Sequence, residues 1–137
     1  MLSLYNSLTN QKEIFKPIEP KKVRLYVCGM TVYDYCHLGH ARVMVIFDVI
    51  NRWLRLSGYS VKYVRNITDV DDKIIAKAAK NNITIEELTE KFIIEMNKDA
   101  DSLGVLRPDF EPKATNHIGD IISMIQTLIE KGYAYIG

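Results

Sequence analysis

Two histidines and a cysteine between positions 28 and 40 are the side chains of this sequence best suited to chemistry. Cys28 follows an apolar run that reads as a short buried strand, and His37 and His40 lie where a long amphipathic segment begins. A strand that leads through a polar loop into a helix is where α/β proteins bind phosphate groups, because the N–H groups of a helix start favour an anion. Imidazoles can donate to phosphate oxygens, and Gly39 lets a ligand approach the backbone closely. The stretch predicts a site that stabilises charge developing on phosphorus.

Each of these residues also has a purely structural interpretation. An isolated pair of histidines at a helix start more often caps the helix or lies at the surface. Cys28 could be a zinc ligand, a nucleophile or a small buried apolar side chain, and Cys36 is more often structural. The acidic run at 69–72 could bind a metal, but such runs usually form a solvated helix start that suits the helix dipole.

Composition and charge exclude several classes of protein. The 137 residues suit one domain, and the 47% hydrophobic and 26% charged content argues against disorder. The net charge of +1 comes from 18 basic and 17 acidic residues, so only a local patch could serve nucleic acid. Neither a secretory signal nor a membrane-length apolar run occurs, which predicts a soluble, cytoplasmic protein without a membrane partner. In a reducing compartment the two cysteines are expected to be thiols or metal ligands.

The apolar spacing predicts the elements that must position these residues. Two short segments at 2–6 and 13–18 read as a hairpin or two edge strands, and core strands are expected at 23–28 and 60–67. Between the core strands the pattern predicts a helix over 41–57 that a glycine ends. A strand, a helix and a strand in this order make a βαβ unit, so the predicted fold class is α/β with a parallel sheet.

Three more helices are predicted in the second half of the chain. The acidic run begins a helix that Thr68 or Asp69 caps. A capping-box pattern opens the next helix at 84–103, and the last covers 115–131. Both of these last helices carry an apolar stripe at helical spacing. Residues 133–136 read as the start of a strand, and because a domain rarely ends there, the chain is expected to be part of a longer protein.

Nearly the whole chain resembles the N-terminal part of the cysteinyl-tRNA synthetases, which are class I aminoacyl-tRNA synthetases. Three stretches carry the resemblance: LYVCGMTVYD at 25–34, HLGHAR at 37–42 and YVRNITDVDDK at 63–73. The resemblance implies a Rossmann-type parallel sheet with flanking helices, incomplete in this chain. It assigns 1–112 to the N-terminal half of the catalytic domain and 113–137 to the start of a connective insertion.

The resemblance also implies an activity and its substrates. The family uses ATP with magnesium to activate L-cysteine as cysteinyl-adenylate and then transfers the cysteine to tRNA(Cys), and the implied enzyme is a monomer. The residues His37, Leu38, Gly39 and His40 resemble the HIGH signature that binds the phosphates of ATP. His37 and His40 are then the expected catalytic residues, since they would stabilise the α-phosphate without abstracting a proton.

A catalytic zinc is the implied cofactor. Cys28 matches the first zinc ligand of the family, and zinc favours a substrate thiolate over a hydroxyl, so serine is rejected without editing. Gly29, Thr31 and Thr68 match positions that surround the bound cysteine. The other three zinc ligands and the KMSKS signature are expected beyond Gly137, which predicts that this fragment does not aminoacylate by itself.

Two other functions remain open at this point. A related ligase of the mycothiol pathway shares the cysteine-activating core and passes cysteine to an amino sugar, so the two enzymes cannot be separated by the mechanism of this part. The third candidate, from another class, is a non-catalytic module that binds nucleotide or a partner.

Overall fold

The computed structural model describes residues 2–137, so Met1 of the predicted first domain lies outside the described residues. Two strand pairs, four α-helices and a short 3₁₀ helix make up this part of the chain. In chain order they are β1 (Ser3–Asn6), β2 (Gln11–Ile14), β3 (Lys22–Val27), α1 (Leu38–Leu56), β4 (Ser60–Arg65), α2 (Asp72–Asn81), α3 (Ile85–Ser102), the 3₁₀ helix (Ala114–His117) and α4 (Ile118–Glu130).

The hairpin predicted at the N-terminus is confirmed, but its second strand lies earlier than predicted. β1 pairs with β2 antiparallel, and β2 occupies 11–14 rather than 13–18. β2 ends at Ile14 because its partner strand ends there. Ser3, the first residue of β1, pairs with Ile14, and the Phe15 N–H donates to the Leu2 carbonyl at 2.9 Å. Two residues further on, Pro17 has no N–H with which to extend the ladder.

The predicted βαβ unit is confirmed. β3 and β4 pair in parallel, with Val23 opposite Val61, and α1 crosses between them. α1 begins three residues before the predicted start, because His37 caps it with its own side chain. Gly58, at φ +84°, adopts the left-handed conformation that ends the helix. The described residues therefore form a mixed α/β fold with a small parallel sheet.

The prediction that Thr68 or Asp69 caps α2 is wrong. The cap is Asp71, whose side chain accepts from the Lys73 N–H at 2.9 Å. Thr68 pairs through its backbone with the segment after β3, and the buried Asp69 carboxylate accepts hydrogen bonds from Thr115. Both residues are therefore engaged in tertiary contacts before the helix begins.

Two apolar clusters form the core, one under the sheet and a larger one between α2 and α3. The predicted α3 stripe is confirmed as the centre of the larger cluster, and its capping box forms as predicted. The buried stripe residues of α3 are Leu88, Phe92, Ile93, Met96 and Ala100.

The last helix is formed as predicted in outline, but its apolar stripe is exposed. A 3₁₀ turn occupies 114–117 and α4 follows, and no residue of α4 is buried. The strand predicted at 133–136 is wrong, since none of the residues 2–137 pairs with that segment. The Tyr133 N–H instead donates to the Leu128 carbonyl and Gly132 takes φ +74°, which closes the helix end.

The segment after α3 is fastened to the βαβ unit by polar groups. The Leu106 N–H donates to the buried carboxylate of Asp48 on α1 at 2.8 Å. The guanidinium of Arg65, which is also buried, pairs with Glu111 at 2.5 Å. Each buried charge is thereby paired or hydrogen-bonded, as burial requires. No helix within residues 2–137 is long and apolar enough to cross a membrane.

Candidate active site

Four residues from the sequence prediction line one cavity of about 290 Å³ at the carboxyl end of β3. Cys28, Gly29 and Thr31 come from the loop after the strand, and His40 reaches in from the first turn of α1. This is the sheet edge where open α/β folds bind ligands. The remaining lining residues are Met30, Val43, Met44, Arg65 and Met96.

The two histidines cap α1 and stack on each other. The Nδ1 atom of His37 accepts from the Gly39 N–H at 3.1 Å, and Nδ1 of His40 accepts from the His37 N–H at 3.2 Å. Their ring centroids lie 3.9 Å apart with a 28° angle between the planes. A capping box made of two imidazoles thus fixes both rings at the helix start.

This capping arrangement decides where the imidazole protons lie. A backbone N–H can only donate, so each Nδ1 must accept and each neutral ring carries its proton on Nε2. Burial, and secondarily the neighbouring His37, lower the pKa of His40 below its usual value. His40 is therefore neutral at pH 7, and its Nε2–H group remains a donor for a ligand.

The imidazole ring of His37 occupies the space next to the Gly39 Cα atom. A Cβ atom added there would lie 2.8 Å from Cε1 and 3.0 Å from Nδ1 of His37. The Gly39 and His40 N–H groups also donate to His37, to its ring and its carbonyl respectively. Since these amides are engaged within the turn, the imidazole Nε2–H groups are the donors that can serve an anion.

His37 and Leu38 do not line the cavity that holds His40. They line a neighbouring cavity of about 350 Å³, together with Cys36 and Asp99. Leu38 is 85% exposed, so its side chain contributes little to the packing of α1. The structure thus brings His40 into one cavity with Cys28, whereas His37 and Leu38 line the neighbouring cavity.

The two cysteines differ in environment. Cys28 is exposed, and its thiol makes a long contact of 3.7 Å with the adjacent Gly29 carbonyl. Cys36 is half-buried, with its Sγ 3.4 Å from the sulfur of Met30. Burial, and next the hydrogen bond with Asp99, raise the pKa of Cys36 to about 11. Cys36 therefore stays a thiol at neutral pH, which leaves Cys28 as the better candidate ligand.

The loop that carries Cys28 is joined to the segment after β4. Thr31 and Thr68 form a parallel bridge, and the Thr68 N–H donates to the Met30 carbonyl at 3.3 Å. The Gly29 N–H donates to the side chain of Asn66 at 2.8 Å. Thr68 does not line the cavity itself, but it lies beside Thr31 through these contacts.

Two polar residues of this region are absent from the sequence prediction. Arg65 lines the cavity beside His40 and is neutralised by Glu111, and Asn66 connects Gly29 to Thr68. A polar residue directly after an apolar strand, at the ligand edge of a parallel sheet, is the signal that could have singled out Asn66.

The candidate metal ligands of the described residues do not form a complete metal site. Across residues 2–137, no group of three or more histidine, cysteine or acidic side chains could hold a metal ion. The acidic run at 69–72 does not form such a group, because Asp69 is turned to Thr115 and Asp71 caps α2. Cys28 remains as one exposed thiol at the cavity.

Comparison with known families agrees with this geometry. A family described as tRNA synthetases class I (C) catalytic domain matches residues 14–137. The chain belongs to this family. The match takes in both strands of the parallel sheet, the histidine motif and all four helices.

Known relatives of this class I synthetase chain are cysteine–tRNA ligases. That of Neisseria meningitidis serogroup A is 69% identical over 135 residues, which is 98% of this chain and 19% of the relative. That of Neisseria gonorrhoeae is 67% identical over 98% of this chain and 28% of its own length. That of Methylococcus capsulatus is 64% identical over all of this chain and 30% of its own length. The chain thus spans less than a third of these relatives.

Proposed function

We propose that the protein containing this chain is a cysteine–tRNA ligase, which activates L-cysteine with ATP and transfers it to tRNA(Cys). One observation carries the proposal: an exposed thiol and a neutral imidazole donor line the same cavity at the ligand edge of the sheet. The names of the relatives support the same activity. Residues 1–112 would be the N-terminal half of a Rossmann-type domain, and 113–137 the start of its connective insertion.

The histidine pair would act in the first half of the reaction. An oxygen of the cysteine carboxylate attacks the α-phosphorus of ATP, and the bond to the diphosphate leaving group breaks, with magnesium accompanying the phosphates. Nε2–H groups of His37 and His40 would donate to the α-phosphate oxygens as negative charge develops on them. Neither histidine needs to act as a base in this step, because the attacking carboxylate has no proton to lose.

Cys28 would recognise the amino acid through zinc. Its exposed thiol is a chemically suitable donor, and the described residues supply this one ligand, so the others would come from elsewhere in the protein. A zinc ion held there would supply a thiophilic Lewis acid that prefers the cysteine thiol to the serine hydroxyl. Gly29, Thr31 and Thr68 would surround the bound amino acid.

The zinc assignment is tested by substituting each cysteine in the full-length protein. We expect Cys28→Ser to lower the zinc content and to weaken cysteine far more than ATP in pyrophosphate exchange. Cys36→Ser is the matched control, because Cys36 is half-buried with a pKa raised to about 11. Full zinc occupancy in Cys28→Ser would contradict the assignment.

Alkylation separates the two thiols without any assay of activity. At pH 8 the raised pKa of Cys36 leaves it with about a hundredfold less thiolate than a free thiol, partly offset by higher nucleophilicity. We expect iodoacetamide to modify Cys28 at least about tenfold faster than Cys36, by peptide mass spectrometry. Equal rates would contradict the environments described for the two residues.

The acceptor of cysteine is decided by a transfer assay. Labelled cysteine should pass to tRNA in the presence of the full-length protein and ATP, and not to a glucosamine-inositol acceptor. The reverse result would indicate the mycothiol-pathway ligase. A zinc-loaded protein without cysteine-dependent exchange would instead be a non-catalytic module. A monomeric state and a cytoplasmic location belong to the same proposal, and size-exclusion chromatography tests the first.

A further inference from the structure

Asn66 joins the two segments that carry the candidate amino-acid contacts. It follows the last residue of β4, and its side-chain oxygen accepts from the Gly29 N–H at 2.8 Å. Its side-chain nitrogen donates to the hydroxyl oxygen of Thr68 at 3.2 Å. One amide therefore connects the loop after β3 with the loop after β4.

The chemistry of the partners determines how this amide is oriented. The Gly29 N–H can only donate, so the oxygen of Asn66 must face it and the NH₂ group must face Thr68. The Thr68 hydroxyl consequently accepts from Asn66 and retains its own proton. Asn66 does not use that proton, so the hydroxyl can donate it to another acceptor.

Backbone contacts hold the two loops together on either side of this amide. A Cβ atom at Gly29 would lie 1.6 Å from the carbonyl oxygen of Asn66, so the backbones touch at this point. Beyond it, the Val32 N–H donates to the Thr68 carbonyl at 3.1 Å. Between these two backbone contacts, the amide of Asn66 hydrogen-bonds to the side chain of Thr68.

We propose that Asn66 is a positioning residue for the amino-acid site, acting through Gly29 and Thr68. It sets the spacing between the Cys28–Gly29 turn and the Thr68 hydroxyl, and it reserves the hydroxyl proton for the amino acid. Asn66 makes no contact with substrate in this role. The inference rests on the proposed function, since it assigns the amino-acid contacts of that same site.

The test compares Michaelis constants for cysteine and for ATP in pyrophosphate exchange by the full-length protein. Asn66→Asp keeps an acceptor for the Gly29 N–H, but its other carboxylate oxygen would accept a hydrogen bond from the Thr68 hydroxyl and so turn that O–H group away from a ligand. We expect it, and Asn66→Ala, to raise the KM for cysteine by about tenfold, with the KM for ATP changed less than about twofold. If Asn66→Ala does not fold, Asn66→Asp carries the test, because it preserves the bond to Gly29.

A double-mutant cycle shows whether the effect passes through Thr68. In a Thr68→Val background we expect Asn66→Asp to raise the KM for cysteine by less than about twofold. Asn6→Ala is the matched control, because Asn6 also accepts from a backbone N–H, at 3.0 Å, and donates to a side chain, at 3.3 Å, but does so in the hairpin. Its Michaelis constants should equal those of the wild type.

The following outcomes would overturn the inference while leaving the proposed function in place. One is an unchanged KM for cysteine in both Asn66 variants, and another is an equal rise with and without the Thr68 hydroxyl. A parallel rise in the KM for ATP would also overturn it, because that would indicate a general structural role. If the wild-type protein shows no cysteine-dependent exchange at all, the proposed function is wrong and the positioning role is wrong with it.

Discussion

Two helices of this chain begin with the same capping arrangement, built from different side chains. In α3, Thr84 accepts from the Glu87 N–H at 3.0 Å and Glu87 accepts from the Thr84 N–H at 2.8 Å. In α1, His37 and His40 play the corresponding parts. An imidazole that accepts at Nδ1 still carries a donor at Nε2, and it stops accepting once protonated. The capping box of α1 can therefore donate a hydrogen bond to an anion and respond to pH, whereas the capping box of α3 has a structural role.

His40→Ala should have the largest effect. Removing one preorganised donor to developing phosphate charge is expected to slow cysteine-dependent pyrophosphate exchange by about a hundredfold to a thousandfold. The lost cap should cost only about 1 kcal/mol of unfolding free energy, so the protein still folds. An unaltered exchange rate in the full-length variant would contradict the role assigned to His40. The capping box of α1 would then be structural, like that of α3.

Gly39→Ala should have a smaller effect on the same reaction. The new Cβ atom would lie 2.8 Å from His37, so the exposed ring must shift and the histidine stack is disturbed. We expect exchange to slow by about tenfold, with little change in stability because alanine gains about 0.5–1 kcal/mol in a helix. Chemical denaturation and exchange assays on one preparation check both parts. A rate equal to wild type would show that the stacked geometry is not needed.

Thr84→Ala should change stability alone. Loss of an N-cap threonine is expected to lower the unfolding free energy by about 1 kcal/mol, which thermal or urea unfolding measures. The exchange rate should match the wild type, since α3 starts outside the cavity lined by Cys28 and His40. A drop in rate comparable to that of His40→Ala would refute the contrast between the two boxes.

The smallest expected effect is the contribution of His40, in α1, to the pH dependence of the free energy of unfolding. Burial, and next His37, lower the pKa of His40 in the folded protein, so the unfolded chain binds this proton more readily. The stability contributed by neutral His40 is present above about pH 6.5 and is lost as the pH falls to the folded pKa. NMR titration of the His40 ring should give a midpoint below 6.5. His40→Asn should lose this component of the pH dependence, and Thr84→Ala should keep it.

Helical periodicity predicted an apolar stripe on α3 and another on α4 equally well, but the two stripes differ in how deeply they are buried. The α3 stripe is buried, with Leu88 at 1% and Ala100 at 0% exposure. The six apolar stripe residues of α4 are between 37% and 51% exposed. Periodicity states which face of a helix is apolar, but what covers that face is decided by elements distant in the sequence.

The candidate site was predictable to the extent that its residues are local. Cys28, His37, Gly39 and His40 lie close together in the chain and could be read as one turn. The contact between Gly29 and Asn66 joins positions 37 residues apart, and the pair of Arg65 and Glu111 spans 46. Such pairs follow from the parallel packing of β3 and β4 and from the return of the segment after α3, which no local pattern encodes.

The sequence by itself determined the order of the strands and α-helices from β1 to α4, the capping box of α3 and the strand-to-helix turn that carries the histidines. These depend on neighbours within one or two helical turns, so short-range sterics and hydrogen bonding suffice. The tertiary structure decided that Asp71 rather than Asp69 caps α2, that His40 joins Cys28 in one cavity, and that Asn66 faces Gly29 and Thr68. These outcomes depend on contacts between segments that lie apart in the sequence, such as those of Asp69 with Thr115 and of Gly29 with Asn66.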